Sequence, residues 1–396
     1  MICSKASGAE AAWVEAIAVI AAPSLAAVLH HLTGKNLLEL AQPGEVTTRQ
    51  SPKDLSDVKG QERDKRALEI AAAERHHMLM VGPPGSGKSM LAARLPGLLP
   101  PLSPAEALET SMIHSLAGLL DEGGISRERP FHEPHSTASM ATIIGGGRSA
   151  KPGEISLAHY GVLFMDEFPE LPRQILETLR QPVKTDEVMF ARANAHVKYP
   201  SCFMVIAAAN PCRCGYLSDA ARACTRAPEC GADYLGRISG PLLDRFDLRL
   251  DVPPVADSDL ELPCDREPSA DVAQRIIAAR RRQAERYAEI PQYVVNADAE
   301  GSPLQKHATP DAEGQALLLE IAERFGLTAR GYHRVMRVAR TISDLADSQG
   351  VERAHIAVAA NFRLPAGPSR SQPRNSRKAA AAAQPEKTAM ASDSRP

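Results

Sequence analysis

The chain has 396 residues, 44% hydrophobic and 24% charged, with a formal net charge of -2. This length allows two or three domains and a sizeable core, and the composition is ordinary for a globular chain. The seven cysteines, four of them within residues 212–230, speak against a secreted disulfide framework, and the near-neutral balance neither favours nor excludes nucleic acid.

Residues 1–50 read as a fragment: an apolar strand, a short helix after Pro23, and a polar exit through Gln42, Pro43 and Gly44. A piece of this size buries little surface alone. The apolar run 16–29 contains Pro23 and lacks a clustered basic flank, although Lys5 lies upstream. It is shorter than the roughly 18 residues of a spanning helix. The expectation is a buried strand and helix, with no membrane segment and a cytoplasmic location.

Residues 57–76 read as a turn and a helix whose apolar stripe is Ala67, Ile70 and Ala71. Met78–Val81 is a short apolar strand ending at glycine, and residues 88–95 form a helix that stops near Pro96. Ser103-Pro104-Ala105-Glu106 is a helix start, with a serine cap, proline first and glutamate third. Residues 121–155 are glycine-rich loops and a hairpin-like insertion. Val162–Met165 and residues 202–208 are further buried strands. Short apolar strands separated by helices imply a parallel sheet covered on both faces.

Residues 251–268 are rich in proline and acid and read as a linker. Residues 271–287 form a helix with a basic face of Arg275, Arg280, Arg281, Arg282 and Arg286. Residues 309–362 are helical, starting at Thr309-Pro310. From Pro365 the chain turns to Pro, Ser, Arg, Lys and an alanine run, too poor in apolar surface to order itself.

Gly82-Pro83-Pro84-Gly85-Ser86-Gly87-Lys88-Ser89 matches the full phosphate-loop pattern between a strand and a helix. Glycines let several N–H groups point at one phosphate, and the helix adds its positive end. Lys88 is placed to reach the β- and γ-phosphates of ATP, and Ser89 to ligate Mg²⁺. The second half of such a site is an acid ending a buried strand, and Asp166-Glu167 follows Val162–Met165. Asp166 would hold Mg²⁺, and Glu167 would activate the attacking water.

Other stretches narrow the class. They are Asp57-Val58-Lys59-Gly60-Gln61, which resembles an adenine-flanking box, residues 153–167, Asn210-Pro211-Cys212-Arg213-Cys214-Gly215, and residues 237–247. Together they resemble the YifB/ComM family, bacterial AAA+ proteins related to the magnesium chelatase I subunit and to MCM helicases, over roughly residues 10–363. The resemblance implies an α/β fold: a P-loop AAA+ core with a parallel sheet between helices, plus a C-terminal all-helical lid. It implies that Asn210 is the sensor that positions water and that Arg245 is a finger reaching the neighbour's γ-phosphate. Arg330 matches the second sensor on the lid, with Arg334 one helical turn on as the competing candidate.

The resemblance also implies a homo-oligomeric ring, most simply a hexamer, with pore loops near residues 134–151 and 188–199. Arg148, Lys151, Arg192 and Lys198 there would meet nucleic-acid phosphates or be solvated loop charges. Family members carry a Lon-like N-terminal domain, of which only the last segment, about residues 11–41, is expected here, as in a truncated protein. The expected organisation is a Lon-like remnant (1–50), the AAA+ core (51–258), a linker with the basic helix (259–308), the lid (309–363) and a disordered basic tail (364–396).

Cys212, Cys214, Cys224 and Cys230 could enclose one structural Zn²⁺ tetrahedrally, or could be buried or solvated thiols. Three functions follow. The first is an ATP-driven motor on DNA with a ComM-like branch-migration role, supported by the basic helix and tail. The second is a chelatase-type ATPase remodelling a protein partner. The third is a truncated relic that binds ATP without turnover.

Overall fold

The computed structural model describes residues 1–13, 17–42, 53–119, 125–146, 150–192, 195–217, 222, 224–255, 267–290 and 293–363. Its centre is a sheet of five strands: β1 (Met78–Val81), β2 (Phe131–His132), β3 (Val162–Met165), β4 (Met204–Ala209) and β5 (Leu248–Asp251). Their order is β5-β1-β4-β3-β2, and every pair is parallel. Strands β3 and β4 are buried along their whole length, as apolar strands covered on both faces must be.

Alternation along the strands divides the core in two. Met78, Met80, Phe164, Ile206 and Leu250 face a layer containing Leu68 and Ile70 of helix α1 (Glu62–Glu74). Leu79, Leu163, Met165, Val205 and Ala207 face Phe168, Ile175, Leu179 and Phe246. Helix α2 (Lys88–Ala92) follows β1, α3 (Pro104–Ala117) precedes β2, and α4 (Arg173–Leu179) follows β3. The helices after β5 are α5 (Ser269–Arg286), α6 (Gly301–Ala308), α7 (Ala312–Phe325), α8 (Ala329–Leu345) and α9 (Arg353–Asn361).

Local signals set several boundaries. At α3, Ser103 Oγ accepts from the Glu106 N–H at 3.2 Å, and Glu106 Oε2 accepts from the Ser103 N–H at 2.9 Å. This reciprocal cap satisfies two otherwise orphaned donors. Helix α2 stops at Ala92, and Pro96 sits in a separate short turn, Leu95–Leu98. Helix α7 begins three residues later than Thr309: Asp311 caps it by accepting from the Gly314 N–H at 2.7 Å, while Pro310 bridges to Val351. Helix α6 lies inside the segment read as linker, and β2 and β5 were not expected as strands.

The N-terminal residues form a parallel strand pair, Ile2–Ser4 with Ile20–Ala22, and a helix, Leu25–Leu32. The strand buries Ala22, but the helix was expected to be buried and is not: Leu25 is 77% and Leu32 68% exposed. No residue of that helix is buried, so its apolar side is left uncovered among the described residues. No described helix is long and apolar enough to cross a membrane.

The basic face of α5 is also corrected. Arg275 donates to Glu69 at 2.7 Å, and Arg280 donates to the Ala72 and Ala73 carbonyls at 2.8 and 3.1 Å. Those carbonyls end α1, where a cation is favoured. Arg282 donates to the Asp344 carbonyl at 2.7 Å, and Arg286 to the Asp344 carboxylate at 2.8 Å. Only Arg281 faces outward, beside Glu285 at 3.7 Å. The arginines tie α1 to α8, so the helix is an internal strut.

Asp344 is fully buried and accepts from Arg286, from Arg340 at 2.7 Å and from Asn296 at 2.7 Å. Removing it strands two guanidinium groups in a dry environment. Asp344→Ala should therefore lower the unfolding free energy by about 3–5 kcal/mol. Breaking the exposed Lys198–Glu187 pair with Glu187→Ala should change it by under about 1 kcal/mol. Urea titration followed by circular dichroism measures both, and equal effects would refute the ranking.

His76 is fully buried between Asp247, at 3.3 Å from Nδ1, and Thr341 and Glu74, at 2.8 and 3.3 Å from Nε2. Burial opposes its charge, but the hydrogen bonds and attraction of Asp247 and Glu74 win and push it up to about 9. A folded-state value above the unfolded one stabilises at low pH. This contribution is complete below the ordinary histidine value and is lost as pH rises through about 9. Thermal melting should show stability falling between neutrality and that pH, and His76→Gln should flatten the slope.

Candidate functional site

The phosphate loop leaves β1 at its carboxyl end. The Gly82 N–H donates to the Ala209 carbonyl at 3.1 Å, which holds the loop to β4. Gly87 has φ +88°, a left-handed conformation that costs glycine little, and it opens α2. Gln61 donates through Nε2 to the Ser86 carbonyl at 2.7 Å, so the loop is braced from the turn before α1.

Within this frame Lys88 Nζ donates to the Gly82 and Pro83 carbonyls at 2.8 and 2.9 Å. It also lies 3.4 Å from Ser86 Oγ and 3.5 Å from Asn210 Oδ1. Burial lowers the lysine's pKa, while Asp166 pulls the other way. Ser89 Oγ donates to Asp166 Oδ2 at 2.9 Å. The other Asp166 oxygen accepts from the Glu167 N–H at 2.8 Å. Glu167 is exposed in a left-handed turn, with φ 48°.

Lys88, Ser89, Asp166 and Asn210 thus come from the carboxyl ends of three adjacent strands and meet. The residues fit a magnesium nucleotide. A serine hydroxyl and a carboxylate in contact are the pair that would hold Mg²⁺, and an ammonium satisfied only by neutral carbonyls can exchange them for phosphate.

Arg245 and Arg330 are not brought to this edge. Leu248, the first residue of β5, is level with Met78, the first of β1. Arg245 precedes that level, so about 13 Å of strand separates it from the loop's end of the sheet. Its guanidinium is half-buried and makes no hydrogen bond or ion pair among the described residues. Burial, and then the nearby charges of Arg334, Arg330 and Arg180, lower its pKa. Arg330 is exposed on α8 and likewise lacks a hydrogen-bonded partner among the described residues. Arg334 is committed instead, to Asp247 and to the Arg245 carbonyl. Of the two competing lid arginines, Arg330 alone is free.

The four thiols lie together: Cys212 and Cys214 at 3.1 Å, Cys224 and Cys230 at 3.0 Å, with Cys214 also against Cys224 and Cys230 against Cys212. Among the described residues no group of three or more Cys, His, Asp or Glu side chains is arranged to hold a metal. Both separations are shorter than the roughly 3.8 Å edge of a tetrahedron with 2.3 Å zinc–sulfur bonds. The turn still touches the site, because a Cβ on Gly215 would come within 2.5 Å of the Pro84 ring. It is packed against the outer side of the phosphate loop.

Of the loop charges, Lys151 is exposed and Lys198 pairs with Glu187 across the hairpin Glu187–Arg192 and Ala195–Pro200. Arg148 and the Arg192 side chain lie outside the described residues, as does the tail 364–396. Sequence reasoning missed Gln61 as a brace and Arg334 as a structural group. Gln61 was in view within its motif, but only the fold shows its contact.

Comparison with known proteins follows the same lines. Residues 54–260 match the family described as magnesium chelatase, subunit ChlI, and residues 266–363 match its C-terminal domain. The chain is 41% identical over 366 residues to uncharacterized protein YifB of Escherichia coli, covering 92% of this chain and 71% of that protein. It is 39% identical over 369 residues to competence protein ComM of Haemophilus influenzae, with the same coverage. The magnesium-chelatase 38 kDa subunit of Rhodobacter capsulatus is 26% identical over 173 residues, covering 39% of this chain and 49% of that one. The chain belongs to the YifB/ComM family of magnesium-chelatase-like AAA+ proteins, a family of ATPase type.

Proposed function

We propose that the chain is an Mg²⁺-dependent ATPase that works as a ring, each site being completed by a second copy, and that it acts on DNA. One observation carries the first part. Lys88, Ser89, Asp166 and Asn210 meet at one edge of the sheet, while Arg245 stands unpaired at the other.

On this reading the backbone of residues 82–89 and Lys88 hold the β- and γ-phosphates. Ser89 and Asp166 hold Mg²⁺, which when bound neutralises charge on the phosphate oxygens. Glu167 takes the proton of the attacking water, and Asn210 orients that water. Arg245 of an adjoining copy supplies the charge that the γ-phosphate lacks on its own edge, an effect worth several orders of magnitude in related chemistry. Arg330, beside Arg245, serves the same neighbour. This reading requires assembly, most simply a hexameric ring.

The DNA reading is supported by the likeness to a competence protein and to the ComM branch. It gains little from α5, whose arginines other than Arg281 are used internally. The hairpin Glu187–Arg192 and Ala195–Pro200 is the element offered to a pore.

Lys88→Ala should abolish ATP binding measured with a fluorescent analogue. Glu167→Gln should retain ATP while turnover falls roughly 10²- to 10⁴-fold. Equal turnover in wild type and Glu167→Gln would remove the glutamate from its assigned role.

Single- or double-stranded DNA should raise the ATPase rate several-fold, with an affinity that declines steeply as salt rises. An unstimulated ATPase that binds no DNA at low salt would end the DNA reading and favour a protein partner.

A further inference from the structure

The lid grips the backbone of Arg245. Arg334 on α8 donates through Nη1 to the carbonyl oxygen of Arg245 itself at 2.9 Å, and to Oδ1 of Asp247. Arg363, just past α9, donates to the Phe246 carbonyl at 2.9 Å. Three consecutive residues are therefore held from the lid. From the core side, the Asp247 N–H donates to the His77 carbonyl at 2.9 Å, and His76 faces Asp247 Oδ2 at 3.3 Å.

The backbone around residue 245 is over-determined, yet the guanidinium it carries is free. That combination aims a side chain. The Arg334–Asp247 pair is well shielded, with side chains 11% and 9% exposed. Separating it would leave a buried charge unpaired. The short stretch at Arg245 must then follow α8 when α8 shifts. Helix α8 also buries Val335, Met336, Val338, Ala339 and Ile342 in one apolar cluster with Ile356 and Ala359 of α9, so the two helices are packed together.

We propose that Arg334 is a positioning residue for Arg245: the lid of one subunit sets where its finger points, and so sets the hydrolysis rate in the neighbour's site. This rests on the reading of Arg245 as a finger acting in trans. The lid is covalently continuous with one nucleotide site and mechanically continuous with the arginine that serves another. Arg334 would thus be the contact through which one site reports to the next.

ATPase assays on the assembled protein test this, using co-expressed mixtures of variants. Arg334→Lys keeps a charge against Asp247 on a different stem, and Arg334→Met removes it; circular dichroism and sizing confirm folded, assembled protein. Each should lower kcat by roughly tenfold to a hundredfold, with KM for ATP within about twofold of wild type, because each subunit's own phosphate loop is untouched. Glu167→Gln subunits lack the base but keep Arg245 and Arg334. Mixed with Arg334→Lys subunits in equal amounts, they should restore turnover in sites that now face an intact finger. Arg245→Ala, mixed in the same way, reports on the underlying reading and should be rescued too. Rescue of Arg245→Ala without rescue of Arg334→Lys would place Arg334 in its own subunit's site and overturn the proposal. A wild-type rate for Arg334→Lys would overturn it as well. Loss of rescue for both, or a wild-type rate for Arg245→Ala, would instead overturn the trans reading and take the proposal with it.

Discussion

The parallel register of β1 between β4 and β5 is the constraint on which the rest depends. Met78 stands opposite Ile206 on one side and Leu248 on the other. Whatever follows a strand gathers at one edge of the sheet, and whatever precedes a strand gathers at the opposite edge. Ligands of open α/β sheets sit at the carboxyl edge for this reason. Lys88, Asp166 and Asn210 each follow a strand, and Arg245 precedes one. The split between the edge that carries Lys88 and the edge that carries Arg245 is therefore built into strand direction and does not depend on side-chain rotamers.

Buried charge then fixes how the helical region sits on the core. Asp344 joins Arg286, Arg340 and Asn296, and Asp247 joins His76 and Arg334. Such pairs add little net stability over an apolar contact, because desolvation offsets most of the attraction. They are unforgiving of misplacement, since any other docking strands a charge. This is how the arginines of α5 can look like an interface in the sequence and yet be consumed inside the molecule. Local basic composition measures how many cations a segment has, and the partners decide what they do.

What could be read from the sequence was local. The phosphate loop, the strands at 78–81 and 162–165, and the cap at Ser103 are each specified by neighbouring residues. Strand β2 has two residues, and β5 reads Leu-Arg-Leu-Asp with no continuous apolar run; both exist because β3 and β1 supply hydrogen-bond partners. Arg330 and Arg334 are equivalent by local rules, four positions apart on one helix. Only a carboxylate 87 positions away distinguishes them. The cysteine spacing permitted a tetrahedral cage, and the fold brings the four thiols together beside the contact of Gly215 with Pro84.

The phosphate loop itself is preassembled. Gln61 braces it from one side and the turn at Gly215 from another, and Lys88 is satisfied by the loop's own carbonyls. A buried ammonium held only by neutral groups is costly to keep charged, which is why burial depresses its pKa. Phosphate oxygens would relieve that cost, so on the proposed reading the loop is disposed to bind an anion. On that same reading, relieving the cost does not complete a hydrolytic site, because the chain's own Arg245 stands at the opposite edge of the sheet. On the proposed reading, binding and turnover are thereby separated in space: a single copy can hold nucleotide, and only a neighbour can release its energy. A motor needs that separation, since hydrolysis in an unassembled subunit would move nothing.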